Sequence, residues 1–210
     1  MTRKPTSMWG KIWHFLYEDD SLMSWIVNVI LAFIIIKFIF YPGMGAILGT
    51  THPVVAVVSG SMEHDGNFDA WWSQHADLYN RLNITKEEFK DYPFPNGFNK
   101  GDIMILKGQE VDEIKRGDII VAYWPKRQAP IIHRVVHTTQ DDANPVFVTK
   151  GDANAAIGPE EQDIRPPEIV GYAQTGKGSV AIGKIPFLGY LKIWATTIMR
   201  GATSLIQFIL

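Results

Sequence analysis

The sequence predicts a mainly β domain on an N-terminal transmembrane helix, with a short helical insertion and an apolar C-terminal helix. Three observations carry this. Residues 22–41 read LMSWIVNVILAFIIIKFIFY, an apolar run interrupted by Asn28 and Lys37. Beyond Pro42-Gly43 the pattern changes to short β-branched runs separated by Gly, Pro and Asp, as strands and their turns require. From 185 to 210 the chain is again apolar. A length of 210 residues with 46% hydrophobic content suits one packed domain plus extra segments. The net charge of −2 offers no basic field for nucleic acid. With no cysteine, disulfides, thiolate zinc sites and a cysteine nucleophile are excluded.

The first apolar run covers about 30 Å as a helix, the thickness of a bilayer's hydrocarbon core. Lys37 lies within a turn of its far end, where the stem can snorkel to the headgroups, and Trp25 and Tyr41 stand near the two interfaces. A buried core helix apolar on every side needs a large protein around it. A cleaved leader carries a shorter apolar stretch, about 7–15 residues. Arg3, Lys4 and Lys11 precede the run, and after it no Lys or Arg comes before Arg81. The positive-inside rule therefore puts residues 1–21 in the cytoplasm, 22–41 across the membrane and the rest outside.

The outer β domain is expected over 50–184, with strands at 54–58, 103–107, 119–124, 131–138, 146–150 and 169–175. An insertion at 63–99 has helical spacing and aromatics read as exposed: Trp71, Trp72, Tyr79 and Phe89. Either the tryptophans dip into the membrane interface or they pack onto the β core. Thr85-Lys86-Glu87-Glu88 fits a capping box, so a second short helix is expected there, ended by Pro93 and Pro95. The stretch 185–210 is long enough for a second span, but Arg200 would stand near its middle, costing about 2.5–3.5 kcal/mol against lipid. A helix lying at the interface or against a partner is expected, with a second span as the alternative.

Three positions carry chemistry. Val57-Val58-Ser59-Gly60-Ser61-Met62 runs from a strand into a small-residue turn that can present a hydroxyl beside backbone N–H groups. A serine hydroxyl is a weak nucleophile and needs a base. Ile131-Ile132-His133-Arg134-Val135-Val136-His137 offers two imidazoles on a strand; alternation puts both on one face and does not choose between them. No third ligand stands near this pair, so no metal is expected. Lys150-Gly151-Asp152-Ala153-Asn154 supplies a carboxylate able to hold a histidine in one tautomer, though Gly-Asp-x-Asn is also ordinary turn chemistry.

In this order, an N-terminal anchor, Ser-Gly-Ser-Met, His-Arg-Val and Lys-Gly-Asp-Ala-Asn resemble the type I signal peptidases. The resemblance implies a signal-peptidase-like β domain and a membrane-bound serine endopeptidase that removes signal peptides from secretory precursors after small residues. His133 stands where the bacterial branch has a lysine, so the similarity is to the archaeal and endoplasmic-reticulum branch, and it selects His133 over His137. By the same resemblance Ser61 is the nucleophile, His133 the base and Asp152 its support. Asp163 is a further supporting candidate, and Ser59 and the Ser61 N–H form the oxyanion site. Which of the two aspartates touches His133 stays open. The family implies no cofactor; its partners are secretory precursors, membrane lipids and accessory subunits or translocation machinery. The long insertion favours an archaeal cell membrane over the endoplasmic reticulum. Two features depart from the family: Met62 is followed by Glu63-His64-Asp65 where a proline is common, and Asp163 comes after a long loop, 155–162.

A membrane-anchored β module that only binds or scaffolds would show the same anchor and strands, but has no reason to keep Ser61, His133 and Asp152 with these flanks. A self-cleaving Ser-Lys protease is disfavoured by the histidine at the base position.

Overall fold

A computed structural model describes residues 7–124, 129–141 and 144–190. The chain divides into two compact units, Met1–Ile47 and Leu48–Leu210. In the first, α1 (Met8–Tyr17) begins at Ser7, whose hydroxyl accepts the Gly10 N–H. Ser21 caps the next helix in the same way, accepting from the Ser24 N–H. That helix, α2 (Leu22–Leu48), is the one described helix long and apolar enough to cross a membrane. It does not stop at Pro42-Gly43 as expected. A proline lacks an N–H and crowds the preceding turn; here Ile36–Phe40 are wound as a π-helix, with the Tyr41 N–H reaching the Ile36 carbonyl. The wider turn admits the ring and the helix continues.

The second unit holds a six-stranded antiparallel sheet in the order β1-β2-β6-β3-β4-β5. Its strands are β1 (Val54–Ala56), β2 (Ile103–Glu110), β3 (Ile119–Ala122), β4 (Ile131–Asp141), β5 (Asn144–Lys150) and β6 (Lys177–Ile185). The mainly β class and the N-terminal apolar helix are thus borne out. Alternation along β3 feeds two cores. Ile119 and Val121 join Val57, Met62, Phe98 and Leu106, while Ile120 and Ala122 join Trp124, Val135, Phe147 and Val180. Each such Ile or Val side chain contributes roughly 1.5–3 kcal/mol by leaving water. Burial on both faces is why these strands read as continuous apolar runs.

The expected strand at 169–175 is corrected. It makes one bridge, Ile169 to Ala122; Gly171 then takes a left-handed φ of 92° and a short helix follows. The sheet instead gains β6, whose Gly178 and Gly183 interrupt the β-branched pattern that reveals a strand. Ile185, expected to open the C-terminal helix, ends β6. Residues 191–210 of that expected helix lie outside the described residues.

The insertion forms α3 (Phe68–Arg81) and α4 (Lys86–Lys90). The Thr85 hydroxyl accepts the Glu88 N–H as predicted. The Glu88 carboxylate, however, bonds Arg116 and Tyr92, so only half of the capping box forms. Trp71, Trp72, Tyr79 and Phe89 are not exposed: they are buried together with Ile84 and with Val136 of β4. Ring contacts among these aromatics hold the insertion together, and burial of their large apolar surfaces against Val136 and Val148 holds it on the β core.

Candidate active site

The turn after β1 is pinned on two sides. Val57 donates its N–H to the Asp102 carbonyl at 2.9 Å, and the Glu63 N–H closes the turn Gly60-Ser61-Met62-Glu63 onto the Gly60 carbonyl at 3.0 Å. The Ser61 carbonyl accepts the Ala153 N–H at 2.8 Å, and the Met62 carbonyl accepts that of Phe98 at 3.0 Å. The Ser61 N–H donates to no protein acceptor among the described residues.

His133 lies on β4 opposite Ile120 of β3, buried, its ring edge-on to Trp124 with centroids 5.4 Å apart. Its Nε2 is 2.9 Å from Ser61 Oγ and its Nδ1 is 2.6 Å from Glu161 Oε1. Glu161 closes a single 3₁₀ turn, Pro159–Glu161. Its Oε2 accepts the Gly158 N–H, and its Oε1 also accepts the Gly151 N–H at 3.2 Å. Burial alone would raise its pKa; hydrogen bonds from His133 and these backbone groups outweigh that and hold it below the usual glutamate range. An ionised carboxylate only accepts, so His133 donates from Nδ1–H and keeps the Nε2 lone pair for the Ser61 hydroxyl proton.

Neither expected aspartate occupies this position. Asp152 is fully buried on the other face of β4, where Arg134 reaches it through Nε at 3.0 Å and through a terminal nitrogen at 2.7 Å. The Tyr79 hydroxyl and His64 Nε2 each donate to it at 3.0 Å. Burial pushes its pKa up, but Arg134 and His64 prevail and hold the carboxyl well below the usual range. Alternation is the reason: His133 and Arg134 are neighbours and point to opposite faces, and Asp152 serves the arginine. Asp163 lies in the open, paired with Arg165 at 3.1 Å.

His137 does not share the face of His133. A β-bulge between Val135 and His137 leaves Val136 without a partner in the register, flipping the alternation and exposing His137. Ser59 Oγ lies 3.3 Å from Ser61 Oγ. Both hydroxyls open on a cleft of about 540 Å³ whose walls include Trp124, His133, Ala153, Ala155, Ala156 and Glu161. Among the described residues no group of three or more His, Cys, Asp or Glu is placed to hold a metal ion.

Two residues of the site escaped sequence reasoning. Glu161 lies ten residues beyond Gly151, outside the Gly-Asp motif that carries the aspartate. Its signal is Gly-Pro-Glu-Glu, in which an acid three residues past the glycine can fold back on the glycine N–H. His64 had the signal of standing three residues after Ser61. It stacks on Trp71, with ring centroids 3.7 Å apart and planes 3° apart, and ties the Ser61 turn to Asp152.

Arg134 completes the support. Its guanidinium spends its remaining donors on the carbonyls of Pro93, Phe94 and Gly117 and lies 4.6 Å from the centre of the Phe89 ring. The insertion therefore wraps the arginine that holds Asp152. Lys150 caps the same turn, donating to the carbonyls of Gly151 at 2.9 Å and Asp152 at 3.1 Å.

No family model matches the chain. Among curated proteins it is similar to the signal peptidase complex catalytic subunit SEC11 of Chaetomium globosum, 26% identical over 80% of this chain and 82% of that protein. The sec11 subunit of Schizosaccharomyces pombe is 29% identical over 80% of this chain and 84% of its own length. The SEC11 subunit of Eremothecium gossypii is 29% identical over 74% and 73%. These relatives are eukaryotic, and the expectation of an archaeal membrane finds no support in them.

Proposed function

We propose that the chain is a type I signal peptidase of the Ser-His branch, a membrane-bound serine endopeptidase that removes signal peptides from secretory precursors, a reading its similarity to the SEC11 subunits supports. The observation that carries this is the chain of contacts from Ser61 through His133 to Glu161, opening on a cleft walled by alanines.

In this mechanism Ser61 Oγ attacks the scissile carbonyl as His133 Nε2 takes its proton, and the Glu161 carboxylate stabilises the imidazolium that forms. The charge developing on the carbonyl oxygen is received by the Ser61 N–H and the Ser59 hydroxyl, a pair whose members are each worth about 10²–10³ in rate. His133 then protonates the leaving amine, and water, activated by the same ring, releases the acyl group from Ser61. Asp152 acts through Arg134 and His64, fixing the turn whose Ala153 N–H holds the Ser61 carbonyl.

In the arrangement proposed, 1–21 is cytoplasmic, α2 crosses the membrane, and the 50–184 domain with its 63–99 insertion works outside. The SEC11 relatives are named as subunits of a complex, which supports accessory subunits here as well.

The test is cleavage of a secretory precursor carrying varied small residues before the cut. Ser61→Ala and His133→Ala are each expected to lower kcat by about 10⁶-fold. Purified Ser61→Ala protein that still cuts at the native rate refutes the mechanism.

A further inference from the structure

The helix ahead of the membrane anchor has an apolar face that no described residue of the first unit covers. Met8, Trp9, Ile12, Trp13 and Tyr17 of α1 are all exposed, Trp9 by 79% and Trp13 by 61%, and Trp13 stacks on Tyr17 at 4.3 Å. At 100° per residue these side chains fall within one half of the helix. Lys11, His14 and Glu18 fall on the other, the last two 3.7 Å apart. Tryptophan and tyrosine on one side and charges on the other are the chemistry of the headgroup boundary.

A second, independent observation comes from the end of α1. The last carbonyls of a helix have no partner within it, and in bulk water they need none from the protein. Here two of them are met by side chains of α2: the Ser24 hydroxyl donates to the Phe15 carbonyl, and the Asn28 amide donates to the Leu16 carbonyl at 2.8 Å. Asn28 is one of the residues that interrupt the apolar run, about 9 Å along the axis from Leu22. Satisfying a helix terminus from within the protein is what a water-poor surrounding demands. It also gives Asn28 a partner that does not require it to face water.

We propose that α1 lies in the membrane–water interface, its Met8, Trp9, Ile12, Trp13 and Tyr17 face sunk among the lipid headgroups and upper acyl chains, with Lys11 on the aqueous side. The anchor is then a pair of helices, one crossing the bilayer and one lying on it, locked together by Ser24 and Asn28. This rests on α2 crossing the membrane and not on the peptidase chemistry.

The chain has no cysteine, so a single introduced thiol takes a spin label at one place. The full chain is reconstituted in phosphatidylcholine vesicles as Trp9→Cys, Ile12→Cys, Trp13→Cys, Lys11→Cys and, in α2, Ile34→Cys, and collisions with oxygen and with a water-soluble nickel chelate are measured. Positions 9, 12 and 13 are expected to favour oxygen several-fold over the chelate, and position 11 the reverse. Ile34→Cys reads the crossing of α2 separately, by favouring oxygen more strongly still. Chelate access at 9, 12 and 13 equal to that at 11 overturns the proposal, placing the helix in water. Protection from both reagents also overturns it, because a second copy or another protein then covers the face. In unlabelled protein, brominated acyl chains are expected to quench less tryptophan emission once Trp9 and Trp13 are replaced by Phe; an unchanged quenched fraction overturns the proposal too.

Discussion

Glu161 Oε1 stands 2.6 Å from Nδ1 of His133, 28 residues earlier in the chain, and is placed there by a single turn of 3₁₀ helix, Pro159–Glu161. This contact fixes which imidazole nitrogen is free to take the Ser61 proton. Glu161→Gln removes the charge and offers the ring an N–H donor in its place, favouring the wrong tautomer. The expected result is a kcat lower by about 10⁴-fold with little change in KM. Asp163→Ala, whose carboxylate pairs among the described residues with the exposed Arg165, should stay near the native rate. Steady-state kinetics on one precursor compares them; loss in Asp163→Ala with activity kept in Glu161→Gln would reverse the assignment.

Asp152 makes stability depend on acid. Its folded pKa lies below the ordinary carboxylate value, so the unfolded chain binds the proton first as pH falls. The stabilisation from its ion pair is therefore complete above the unfolded value, about 4, and is lost as pH drops from there toward the folded one. Glu161, also held low, adds to the same slope. Asp152→Asn leaves Arg134 buried without its counter-charge and should cost about 3–5 kcal/mol at neutral pH. Urea unfolding at pH 7, 5, 4 and 3 should show the gap between the two proteins narrowing only below about pH 4. A gap that stays constant through that range would mean that the folded protein does not hold the Asp152 carboxyl below its unfolded pKa.

Lys150 works in the opposite direction. Burial pushes its folded pKa down to about 8, against the attraction of Asp152, while in the unfolded chain it titrates near 10.4. Between these values the unfolded state holds the proton that the folded state has lost, so stability rises with pH across that window. Relative to Lys150→Met, the native protein should gain up to roughly 3 kcal/mol on going from pH 8 to above 10. Paired unfolding curves cancel the other basic groups, and parallel pH profiles would show that the amine is not desolvated.

What the sequence revealed depended on how local each signal was. Turn residues and β-branched runs mark β1 to β5 because those strands obey neighbours one or two residues away. The strand β6 was hidden by Gly178 and Gly183, whose conformation is set by the strands on either side. Ser61 and His133 were legible through their flanking motifs. Their partner was not, because Glu161 reaches the ring only through the path of a long loop. His137 looked equivalent to His133 until the bulge at Val136 broke the alternation, a feature that register alone decides. The aromatics of the insertion were visible as aromatics, but their burial against Val136 is a long-range contact.

Gly151 sets the clearance of the whole site. A Cβ there would lie 2.8 Å from His133 Nε2, 2.9 Å from the Ser61 carbonyl oxygen and 2.7 Å from Asn154 Nδ2. These approaches are shorter than real Cβ atoms tolerate, and two of the three neighbours belong to the Ser61 turn and to His133. Gly151→Ala must therefore push the imidazole or the Ser61 turn aside, lengthening the 2.9 Å contact between His133 and Ser61 on which the proposed proton transfer depends. Because Gly151 also donates its N–H to Glu161, the same shift loosens the carboxylate that orients the ring. A displacement approaching 1 Å costs about 10²-fold in rate, and it should appear in kcat rather than KM because no substrate contact is removed. Gly158→Ala provides the comparison: a Cβ there meets the end of the Glu161 side chain at 3.1 Å and otherwise nothing closer than 3.8 Å, so a smaller loss is expected. Precursor cleavage by both variants, with thermal unfolding alongside, separates misplacement from misfolding. Native kcat in a folded Gly151→Ala protein would show that Ser61 and His133 do not need the contact distance seen here.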